Sequence, residues 1–182
     1  MSANTGIAQR FESERIRFPG LLPEETLVAR AWLAIHEAEY EAFDYNVRIG
    51  VGDDPGPNFS AAARAAAVAN SKLRIDAVCW KGIGVFKSPD ATFNPVDVYA
   101  TSTGAQATLV EFKRRAATGA VTQLSTYFHL WMAEFPRNPQ PRLIIACASY
   151  SQTIIAATNR AGIFVDPVSV DFSSLSPTFR KG

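Results

Sequence analysis

The chain has 182 residues, of which 47% are hydrophobic and 19% charged, and its formal net charge is +1. That length fits one domain with a sizeable core, and the charge balance excludes a bulk polycation, so nucleic-acid binding would have to come from a local patch. Two cysteines and two histidines without short ligand spacing argue against a structural zinc site, and no apolar run approaches the ~18 residues of a membrane-spanning helix.

Residues 1–19 are polar and read as an arm open to a protein partner; residues 20–182 read as a single domain. The first eleven residues lack the apolar core of a signal peptide, which predicts an intracellular, cytoplasmic product. Later packaging into a particle stays open. Leu22-Pro23-Glu24-Glu25 starts a helix, with proline in the first turn and acids at the positive end of the dipole. Leu27, Val28, Ala31, Trp32 and Ile35 continue it at helical spacing.

A short strand follows over 43–51, then a glycine-, aspartate- and proline-rich loop over 50–57. Ser60 caps an alanine-rich helix to about residue 69. Residues 72–80 form a strand; 81–94 are punctuated by glycine and proline, with strand character at Val85-Phe86. Strands at 96–101 and 107–113 are joined by the turn Ser102-Thr103-Gly104-Ala105. The strongest helix covers 119–135, with Val121, Leu124, Phe128, Trp131, Met132 and Phe135 as its buried stripe. The continuous apolar run 143–148 predicts a central strand covered on both faces. A helix over 151–161 and a strand over 162–170 complete an α/β order, predicting a central mixed β-sheet flanked by helices. Cys79 and Cys147 fall in apolar strands and read as buried free thiols, which fits a reducing compartment.

Leu109-Val110-Glu111-Phe112-Lys113 carries the chemistry. Side chains alternate along a strand, so Glu111 and Lys113 share one face, about 7 Å apart, and Val110 and Phe112 the other. A carboxylate and an ammonium in an apolar strand are costly unless something there needs them. The pair suits a carboxylate on a metal and a lysine beside the attacked water or phosphate. Gln123 and Tyr127, four apart, share a face of the following helix. Arg74-Ile75-Asp76-Ala77-Val78 offers an aspartate on another strand.

With Asp76, Glu111, Lys113, Gln123 and Tyr127 the chain resembles the PD-(D/E)XK nuclease superfamily, in its RecB-like and lambda-exonuclease-like branch with a Gln-x-x-x-Tyr helix. The resemblance covers roughly residues 20–170 and implies a restriction-endonuclease-like core. It implies Mg²⁺-dependent hydrolysis of DNA phosphodiester bonds, with Mn²⁺ as a substitute. Asp76, Glu111 and the Phe112 backbone carbonyl would hold the metal, and Lys113 would orient water or stabilise charge. Gln123 and Tyr127 would help hold the catalytic groups and a DNA phosphate. A further carboxylate comes from the first helix in this branch, which makes Glu25 and Glu24 candidates. Asp97 and Asp90 are rivals to Asp76. Arg114 and Arg115 are read as DNA phosphate contacts. His36, His129 and the Asp53-Asp54 turn are read as structural or solvated. The alternative function is a non-catalytic structural or assembly protein, such as a phage particle component, that keeps the fold. Endonuclease or exonuclease action, and DNA or RNA as substrate, both stay open.

Overall fold

The computed structural model describes residues 18, 20–82, 99–100, 104–173 and 175. Nearly all of the arm, Val85-Phe86, Asp90, Asp97 and most of the strand expected over 96–101 lie outside the described residues. The elements are helix α1 (Pro23–His36), a short 3₁₀ turn (Glu37–Glu39), strand β1 (Ala42–Ile49), helix α2 (Ala61–Ser71) and strand β2 (Leu73–Lys81). Then come β3 (Gln106–Arg115), α3 (Thr118–Glu134), β4 (Arg142–Ser149), α4 (Gln152–Arg160) and β5 (Ile163–Pro167).

The strands form one mixed sheet in the order β1-β2-β3-β4-β5. β1, β2 and β3 run antiparallel in sequence, and β3, β4 and β5 run parallel. The parallel pairs need crossover connections, which α3 and α4 supply. One layer of core packs α3 and Ile154 of α4 against Leu109, Ile145 and Cys147. The other packs α1, through Val28, Ala29, Trp32 and Leu33, against Val110, Phe112, Ile144 and Ala146. Strand β4 is therefore covered on both faces, as its apolar run predicts. Helix α2 buries none of its residues, although Ser60 caps it by accepting from the Ala63 N–H.

Three boundaries differ from expectation. Tyr99 and Ala100 are helical rather than extended. Tyr99 is wholly buried between the Trp80 and Trp131 rings, and its hydroxyl donates to the Pro139 carbonyl at 3.1 Å. The antiparallel part of the sheet has β1 as its first strand. Phe18 is buried against Tyr45 and Phe112, so the inner end of the arm belongs to the packed domain. The last strand stops at Pro167, which has no N–H to continue a ladder.

One irregularity positions the site. Ladder pairing between β2 and β3 begins at Ala77 and Val110 and runs away from Asp76. Side-chain alternation also breaks there. Ile75 and Val78 pack in one core layer, and Ala77 and Cys79 in the other. Across from this break, Asn46 in β1 takes a left-handed φ of 58°, a conformation asparagine tolerates better than most residues. The end of the β1–β2 pair that holds Val47 and Ile75 thus parts from β3, and a cleft opens beside it.

Candidate active site

The cleft is a cavity of about 200 Å³ lined by Glu25, Asp76, Glu111, Lys113, Gln123 and Tyr127, with Phe18, Tyr45, Asn46 and Arg74 among its other walls. The five residues singled out in the sequence are therefore brought together, and Glu25 with them. Glu111 is 1% exposed, held there by the apolar strand around it. Lys113 shares its face, as strand parity predicts. Its Nζ lies 2.9 Å from Glu111 Oε1, 2.9 Å from Glu25 Oε1 and 4.0 Å from Asp76 Oδ2. Those separations hold the Asp76 and Glu111 oxygens within about 7 Å of each other.

Asp76 has a local reason to be where it is. The Phe112 N–H has no ladder partner on β2, because the strands have parted, and it donates to Asp76 Oδ2 at 2.9 Å. Glu25 serves two ends. Its Oε2 accepts from the Leu22 N–H at 3.1 Å, capping α1, while Oε1 takes the Lys113 ammonium. A first-turn acid favoured by the dipole is here also part of the site.

The electrostatics follow from three carboxylates around one ammonium. Burial pushes the Asp76 carboxyl up to about 6, with Glu25 adding to it and Lys113 opposing. Burial, then the Asp76 charge, pushes Glu111 up to about 7. Burial alone would lower Lys113, but Glu111, Asp76 and Glu25 overcome it and hold the ammonium above its ordinary value. Tyr127 is pushed up to about 12 by burial and by the Glu111 and Asp76 charges, and a hydrogen bond with Gln123 opposes this. Its phenol therefore keeps its proton. Glu111 Oε2 is buried and has no hydrogen-bond partner among the described residues.

Among the described residues, no three His, Cys, Asp or Glu side chains form a ready-made metal shell. Lys113 stands between the acids and supplies part of the missing positive charge. The donor set nevertheless fits a hard divalent cation: all oxygen, three carboxylates for one ammonium, and one orphaned oxygen. Asp76 and Glu111 would hold it, with Glu25 beside them; Phe112, whose carbonyl the resemblance offers as a further ligand, is not among the residues that line the cavity.

The two arginines that follow Lys113 do not line the cavity. Arg114 has the parity of Phe112 and faces α1, 3.8 Å from Glu24 Oε1, with its guanidinium over the Phe172 ring. Arg115 is exposed at the end of β3. Arg74 lines the cavity instead; its alternation with Asp76 was the sequence signal. Asn46 and Tyr45 also line it, and no sequence signal marked them. Asp54 pairs with Arg64, which lowers its pKa, in a solvated turn. His36 stacks on Trp32 and contacts Glu39 and Asp166, away from the cavity lining. His129 packs edge-on to Phe128. Cys79 and Cys147 are buried free thiols.

No family model matches the chain, and no curated protein or solved structure shows a significant match to it. Among the described residues no helix is long and apolar enough to cross a membrane.

Proposed function

We propose that this chain is a divalent-metal-dependent nuclease of the PD-(D/E)XK type that hydrolyses DNA phosphodiester bonds. The observation that carries this reading is the grouping of Glu25, Asp76 and Glu111 around the Lys113 ammonium in an open cleft. A bound Mg²⁺ would neutralise phosphate charge and lower the pKa of the attacking water.

The chain's own residues have separable tasks. Lys113 has three N–H donors, and Glu25 and Glu111 each take one. The third remains for the attacking water or a phosphate oxygen. An ammonium held above its ordinary pKa donates and is no base at neutral pH. Tyr127, protonated and nearly buried, is a second donor over the same carboxylates, with Gln123 steadying it. Water attacks phosphorus as the opposite P–O bond breaks; the water releases one proton to solvent and the leaving oxygen takes one up, so a phosphodiester and a water become a phosphomonoester and an alcohol.

One observation favours the alternative, a structural or assembly protein that keeps the fold: Lys113 already satisfies much of the acid cluster. One experiment separates the two. Purified protein is incubated with linear and circular DNA, and with RNA, in Mg²⁺, Mn²⁺ or EDTA. Cleavage is expected with metal, and loss of it in Glu111→Gln and Lys113→Ala variants that fold. No cleavage of any substrate, or cleavage undiminished in both variants, overturns the nuclease reading.

A further inference from the structure

Beside the cleft, two arginines stand directly opposite each other on adjacent strands: Arg48 of β1 pairs with Arg74 of β2. Side chains directly opposite on antiparallel strands lie within about 5.5 Å at Cβ, and like charges there are destabilising. A neutralising carboxylate would relieve the repulsion, but neither guanidinium has one among the described residues. Arg48 instead contacts the Asn70 amide oxygen at 3.4 Å, and Arg74 the Asn46 amide oxygen at 3.5 Å. Amide oxygens orient a guanidinium without cancelling its charge. Among the described residues the pair thus carries two positive charges with no carboxylate in direct contact, on exposed forks braced by amide oxygens.

Their position gives this charge a use. Arg74 lines the cavity that holds Asp76, Glu111 and Lys113. Arg48 lies one strand further out, on the edge strand of the sheet. Together they make a positive path from the acid cluster to the sheet edge. Guanidinium forks match phosphate oxygens two at a time.

We propose that Arg48 and Arg74 form a cross-strand clamp for a backbone phosphate of the nucleic-acid strand, next to the phosphate at the acid cluster. This rests on the nuclease reading and adds to it the element that holds the strand in place. It assigns positioning to Arg48 and Arg74, while Arg114 is committed to Glu24 and Phe172.

The test uses the full chain and a fluorescent DNA, duplex and single-stranded, in EDTA over a salt series. Arg48→Ala and Arg74→Ala should each weaken binding without sequence bias and lower the log–log salt slope by about 1. Arg48→Lys and Arg74→Lys should keep the slope, and Arg114→Ala should leave it unchanged. Folding is checked by thermal melts: removing one arginine relieves repulsion, so Tm should hold or rise, and inorganic phosphate should raise Tm less in the alanine variants than in wild type. Slopes unchanged in both alanine variants, while wild type binds and cleaves, would overturn the clamp and leave the nuclease reading standing. Slopes lowered as expected without any cleavage would overturn the nuclease reading and keep the clamp. No DNA binding by wild type overturns both.

Discussion

Lys113→Ala removes the ammonium that lies within 4.0 Å of all three carboxylates. Its Nζ is 2.9 Å from both Glu111 and Glu25 and 4.0 Å from Asp76. Removing one partner of a fully buried ion pair costs about 3–5 kcal/mol. Lys113 and Glu25 keep 23% and 12% of their side-chain surface exposed, so the lower end applies, ~3 kcal/mol. For a chain of this size that is a Tm loss of roughly 6–12 °C. The loss should depend on pH. Asp76 and Glu111 already sit at about 6 and about 7 in the folded protein, and losing the ammonium raises both further. Unfolded, they titrate near 4. From there up to the folded values the native state holds more protons, so its stability falls as pH rises. At about pH 5 protons replace the ammonium and the deficit should shrink; at about pH 8 it should be full. Mg²⁺ should raise the Tm of the variant more than that of wild type, since a ligand for the native state stabilises it in proportion to its occupancy. Thermal melts at both pH values, with and without Mg²⁺, give the answer. An equal deficit at both, with no added response to Mg²⁺, would refute the idea that Lys113 neutralises these acids.

Wild type without metal should show the same sign in weaker form: stability declining from about pH 4 to about pH 7 as Asp76 and then Glu111 ionise. In Glu111→Gln the upper part of that decline should flatten, which a series of melts against pH would show. Asp76→Asn keeps an acceptor for the Phe112 N–H, so it should fold near wild-type stability while losing cleavage. Asp76→Ala strands that donor and should cost a further ~1–3 kcal/mol; denaturant unfolding of the two variants side by side measures the difference.

Strand parity was the most legible signal. It places Glu111 with Lys113, and Arg114 with Phe112 on the opposite face, so being next to Lys113 in sequence does not put Arg114 in the cavity. Helix spacing joined Gln123 to Tyr127. Asp76 was legible as an aspartate within a strand, but not the break in alternation that turns it toward Phe112, which coincides with the left-handed φ of Asn46 on the facing strand. The strand order differs from expectation for a related reason. Residues 96–101 look locally extended, whereas the strand that pairs with β2 on its outer side lies some thirty residues earlier in the chain, and local propensity carries no information on such pairing. Glu25 stayed ambiguous because capping and site function ask for the same residue type at the same place, and here one side chain does both.

The parting of β2 from β3 ties these details together. A strand that leaves its neighbour strands a buried N–H, and a carboxylate at the point of departure is a strong way to satisfy it. Asp76 is thereby fixed beside Glu111, whose own strand cannot release it to solvent. Two carboxylates so placed repel, and Glu25 makes a third. Lys113 cancels one charge of the three, leaving two negative charges in a nearly buried group if all are ionised. Protons or a divalent cation would remove them without moving the backbone. The raised carboxyl pKa values are the first of these answers. Since protons and a cation compete for the same oxygens, the arrangement that lowers the protein's stability near neutral pH is also what would make it bind a metal there.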